Sequence, residues 1–125
     1  MFRRLFDRIK SLFGYTITLN RVRDRITIKE GNESLVLAVD CDSTAIVTRI
    51  RNAQESIIKV SNGKSTEEER NQAARQFSEA IFGKEQTDRL SAFYNDDLSC
   101  VVTICGMYFE KRLCKKITAA QKSLK

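Results

Sequence analysis

The chain has 125 residues, 42% hydrophobic and 30% charged, with a net charge of +6 and no histidine, proline or tryptophan. That length suits one domain with a substantial core, and the apolar-to-charged balance suits a globular protein. Without histidine there is no Ser–His or Cys–His nucleophile pair and no imidazole general base, and no apolar run approaches the ~20 residues of a membrane-spanning helix.

At the start, MFRRLFDRIKSLFG scatters its charges instead of placing a basic end before an apolar stretch, so it does not read as a secretory leader. A cytoplasmic protein is the expectation. Phe2, Leu5, Phe6, Ile9, Leu12 and Phe13 recur at helical spacing, with Arg3, Arg4, Asp7, Arg8 and Lys10 opposite and Gly14 as a stop. This predicts a basic amphipathic helix over 1–14, semi-independent of a single domain spanning 1–125. Three placements suit it: back on the core, against a partner or second subunit, or on a membrane surface through residues 2–13.

Tyr15, Ile17 and Leu19 alternate with threonines and predict a strand. ITIKEGNESLVLAV follows as a hairpin around Gly31-Asn32, a register that sets Glu30 opposite Glu33, Ile28 opposite Leu35 and Ile26 opposite Leu37. After Asp40 the period becomes helical. Asp42 or Ser43 caps a helix whose stripe is Ile46, Val47, Ile50, Ala53, Ile57 and Ile58, ending at Ser61-Asn62-Gly63. Ser65 and Glu68 form a capping box for the next helix, which buries Ala73, Ala74, Phe77, Ala80 and Ile81 and stops at Gly83 in left-handed conformation. A short helix from Lys84 carries Leu90, Phe93 and Tyr94. Asn95, Asp96 and Asp97 break the chain before a long final helix, whose apolar positions run from Leu98 to Ile117 and include Tyr108 and Phe109. The predicted fold is therefore α+β: a small antiparallel hairpin or meander of two to three strands packed with four to five helices.

Cys41, Cys100, Cys105 and Cys114 lack the paired short spacings of a zinc site and read as reduced, mostly packed thiols. Asp40/Asp42 and Asp96/Asp97 read as caps, because the further ligands of a calcium loop are missing. No glycine-rich phosphate loop is present. The expectation is a protein that is not an enzyme and carries no cofactor or metal. Charge is distributed unevenly: residues 1–25 hold seven Arg/Lys against two Asp, while residues 61–97 hold five basic and eight acidic side chains. Basic ends around an acidic middle favour charge-complementary packing or homo-oligomerisation. A nucleic-acid-binding accessory protein is the alternative that charge alone supports.

The C-terminal half, FSEAIFGKEQTDRLSAFYNDDLSCVVTICGMYFEKRLCKKITAAQK, resembles the tail assembly chaperones encoded in tail modules of long-tailed phages and prophages of Firmicutes. The likeness lies in IFGKEQTDRLSAFY at 81–94, CGMYFEKRL at 105–113 and KKITAAQK at 115–122, and the hairpin-then-helix layout upstream is similar. The resemblance implies a non-enzymatic protein in the bacterial host cytoplasm that shields the apolar tape measure protein and helps recruit tail tube protein. A chaperone needs apolar surface that a client covers. Phe2, Phe6, Ile9 and Phe13, with Phe82, Tyr94, Tyr108 and Phe109, are the candidate partner-binding residues.

Overall fold

The computed structural model describes residues 20–122, and the account below concerns those residues. The predicted helix over 1–14 and the predicted strand over 15–19 lie outside them.

The architecture is α+β. Strands β1 (Arg21–Glu30) and β2 (Glu33–Asp42) form a two-stranded antiparallel sheet. Its register is the one that the turn and the apolar pattern dictate, with Ile26 opposite Leu37, Ile28 opposite Leu35 and Glu30 opposite Glu33. Gly31 takes φ 61° at the first position of the two-residue turn, a conformation that costs glycine little. The sheet's inner face buries Val22, Leu35, Leu37 and Val39 against the helices, while Arg21, Arg23, Arg25, Thr27 and Lys29 stand exposed on the outer face.

Helix α1 (Ser43–Val60) opens where Asp42 accepts a 3.0 Å hydrogen bond from the Ala45 N–H. Ile46, Ile50 and Ala53 are buried, but Ile58 is 72% exposed. Twelve residues beyond Ile46, it has turned ~120° away from the inward stripe.

Helix α2 (Glu67–Phe93) is capped by Thr66 with Glu69, one residue later than the Ser65–Glu68 box that sequence favours. Both pairs fit the motif. Ser65 is instead held by a hydroxyl bond to the carbonyl of Val60 at the end of α1. Gly83, with φ 82° and ψ 170°, breaks the helical conformation inside α2, in an extended positive-φ region and not the left-handed helical one. The chain doubles back there. Ser78 and Thr87 hydroxyls meet at 2.8 Å, although nine residues of straight helix span ~13 Å. Arg75 reaches Asp88 across the same fold.

Asn95 and Asp96, both at positive φ, turn the chain into α3 (Leu98–Tyr108), and Asp97 caps it by accepting from the N–H groups of Ser99 and Cys100. A π-helical turn, Phe109–Leu113, joins α3 to α4 (Cys114–Lys122) without a break. The expected four to five separate helices are therefore, among the described residues, three helical runs. The pieces before and after Gly83 form one kinked run, and α3 to α4 form another. Leu37, Ile46, Leu90, Val101 and Leu113 make the centre of the core where these runs meet the sheet.

Candidate partner-binding surfaces

The kink at Gly83 has consequences on both of its sides. Phe82, just before it, is buried and stacks on Tyr108 with ring centroids 5.7 Å apart. Gln86, just after it, lies against β2: its Oε1 accepts from the Ala38 N–H at 2.7 Å and its Nε2 donates to the Ala38 carbonyl at 2.6 Å. One side-chain amide thus occupies both outward backbone groups of that strand residue, as a neighbouring strand would. Nε2 also reaches the Phe82 carbonyl at 2.8 Å, which ties the two sides of the kink together.

The predicted partner-binding aromatics do not form one surface. Phe82 and Tyr108 are covered by each other and by the core, so neither offers apolar area to a client in this conformation. Phe109 is half-buried and meets Phe77 edge-on at 6.5 Å. Tyr94 is half-buried against Phe93 at 5.1 Å, with its hydroxyl pKa raised by burial and by nearby Glu30. Phe2, Phe6, Ile9 and Phe13 lie outside the described residues.

Two features missing from the sequence expectations surround these rings. The first is Asp24, whose side chain is only 3% exposed on the inner side of β1. Its carboxylate accepts from the Tyr108 hydroxyl and from Arg112, each at 2.7 Å, and Lys116 stands 3.7 Å away. Burial alone pushes this carboxyl's pKa up, yet the hydrogen bonds and the Lys116 charge outweigh burial and leave it below the ordinary range. Burial and the same carboxylate push the Tyr108 phenol well above its usual value, so it stays a donor. A sequence clue existed: Val22, Asp24, Ile26 and Ile28 alternate on one face, and an acid in that series calls for a partner.

The second is a groove of about 260 Å³ beside the π-helical turn, between α1 and α4, lined by Val47, Ile50, Arg51, Phe109, Cys114 and Ile117. Its floor is apolar and its rim polar. A further hollow of about 540 Å³ lies at the kink, where Asp40, Arg49, Glu79 and Gln86 stand beside Ala38, Ile81 and Phe82.

No protein-family model, curated protein or solved structure matches the chain. The surfaces themselves therefore carry the functional reading. Among the described residues no three acidic or cysteine side chains gather as a metal site, and no helix is long and apolar enough to cross a membrane. The four thiols are unpaired: Cys105 is buried, with its pKa pushed up to about 11 by burial, and Cys114 is exposed.

Proposed function

We propose that this is a non-enzymatic assembly protein of the tail assembly chaperone kind, working in the cytoplasm of a bacterial host and binding tape measure protein, tail tube protein or both. The observation that carries the reading is the stack of Phe82 on Tyr108. It joins the two segments with the strongest likeness to such chaperones, 81–94 and 105–113, into one structural unit. Residues of the first segment are spent on architecture: Phe82, Thr87 and Leu90 are buried, Gly83 makes the kink, and Gln86 holds β2. A fold unit shared with a binding family needs such residues, whereas a catalytic one would commit polar side chains to a pocket.

On this reading the apolar groove between α1 and α4 offers a seat for one face of a client helix. Helix-in-groove binding rests on an apolar floor with polar groups at the rim, which is the composition of this groove. The test is co-expression with tape measure and tail tube proteins of long-tailed phages of Firmicutes, followed by pull-down. Association with at least one, weakened by charge in the groove (Val47→Glu), is expected. Absence of association with both overturns the proposal.

A further inference from the structure

The two edges of the sheet are treated differently. On the β2 edge, Gln86 takes the outward N–H and C=O of Ala38. In an antiparallel pair, backbone groups alternate between facing the partner strand and facing away. Ala38 faces away, so Arg25 opposite it does too, and with Arg25 go Arg21, Arg23, Thr27 and Lys29. Among the described residues, no strand or helix backbone pairs with this edge of β1. The Arg25 N–H lies near the neighbouring Asp24 carboxylate and helps to lower its pKa.

The residues with outward backbone groups also carry the cations of the exposed face. The strand itself shows what those cations take as partners. Asp40 on β2 pairs with Arg21 at 2.8 Å and with Arg23 at 3.4 Å. Arg25 and Lys29 face Ala38 and Ser34 instead, and among the described residues no carboxylate pairs with either. Same-face residues along a strand repeat every ~6.8 Å, so a second strand with carboxylates at alternate positions matches this row residue for residue.

We infer that the open edge of β1 takes an extended, acidic segment of a protein partner as an added strand, with its alternate carboxylates on Arg23, Arg25 and Lys29. Other occupants fit less well. A second copy pairing through β1 sets cations against cations, which opposes association. In the segment over 1–19 Asp7 is the one acidic residue and residues 15–19 carry no charge, so it has no row of carboxylates to set against these cations. A nucleic-acid strand would meet Asp40 and the Glu30/Glu33 tip on the same sheet, and the outer face of the hairpin has no aromatic ring for bases to stack on.

The inference rests on the protein-binding reading but commits to a different surface from the helix groove, so the two fail separately. The experiment uses the full chain and a fluorescein-labelled decapeptide alternating glutamate with threonine and valine. Its controls are a peptide of the same composition with the glutamates in one block and a single-stranded oligonucleotide of similar charge. Anisotropy should show the alternating peptide binding about tenfold tighter than the block peptide, with the Arg25→Glu/Lys29→Glu variant losing the difference. Hydrogen exchange should show new protection at the amides of Arg23, Thr27 and Lys29. Thr27→Pro, which removes an outward N–H without touching the β2 ladder, should weaken binding while leaving the charge row in place. Equal binding of both peptides, preference for the oligonucleotide, no binding by either peptide, or protection confined to the α1–α4 groove would each overturn it. Capture of tape measure protein with β1 unprotected removes this inference and leaves the chaperone reading standing.

Discussion

A carboxylate on the inner face of a sheet is costly unless donors surround it, and Asp24 has Tyr108, Arg112 and Lys116. Because its pKa is lowered in the folded state, the stability it contributes is present above the unfolded carboxyl's value and is lost as pH falls through the folded one. Asp24→Asn keeps the shape and removes the charge. It should cost about 1–3 kcal/mol in urea unfolding at pH 7, and the gap to the parent protein should narrow below about pH 4. Glycines separate in the same way by backbone. Gly83 has room for a methyl group, but its φ of 82° with ψ of 170° belongs to glycine almost alone. Gly83→Ala should therefore destabilise by about 1–3 kcal/mol. Gly106, inside α3 with nothing near an added Cβ, should gain about 0.5–1 kcal/mol as alanine. Thermal unfolding of the pair reads both signs at once.

At the scale of elements, the hairpin was legible to the residue because turn chemistry and apolar alternation specify the same register. The first five residues of β1 were not, since Arg21–Arg25 carry charge on one face and an acid on the other, which hides the period. The kinked α2 was half legible: glycine announced a break, but only tertiary contacts show that the chain folds back so that Thr87 meets Ser78. Gln86 gave no sequence sign, because its role depends on a strand 48 residues away. Gln86→Ala should cost about 1–3 kcal/mol, the loss of its two hydrogen bonds to Ala38 and one to the Phe82 carbonyl, and the Ala38 amide should exchange faster than in the parent. Gln86→Glu retains an acceptor for the Ala38 N–H but turns an oxygen toward the Ala38 carbonyl, so its amide should be intermediate.

Across the whole molecule, the α+β class was more legible in the sequence than the surface. Two aromatic residues whose apolarity marks them as contact points lie in the core, Phe82 stacked on Tyr108, while Phe109 is half-buried against Phe77 and lines the groove between α1 and α4. Helical period identifies an apolar face but not what covers it. The four thiols turn this burial into a measurement. With a maleimide at neutral pH, Cys114 should react fastest and Cys105 slowest, because Cys105 is both enclosed and held protonated. If Cys105 labels at a rate that follows denaturant in step with the global transition, the core opens as one unit.

The π-helical turn bears on how this chain tolerates changes of length. Buried Tyr108 and Leu113 are five residues apart, where an α-helix would place successive inward positions three or four apart. The extra residue keeps Leu113 and Ile117 facing the core after Val101, Cys105 and Tyr108 have already done so. Straightening this turn into a plain α-helix while keeping all of its residues would rotate everything downstream by about 100°, whereas removing one residue would keep the inward face. In the straightened form Arg112 and Lys116 would swing off Asp24, and Ile117 would turn toward solvent, without a single core residue having been replaced. In this stretch the count of residues is as much a part of the fold as their identity.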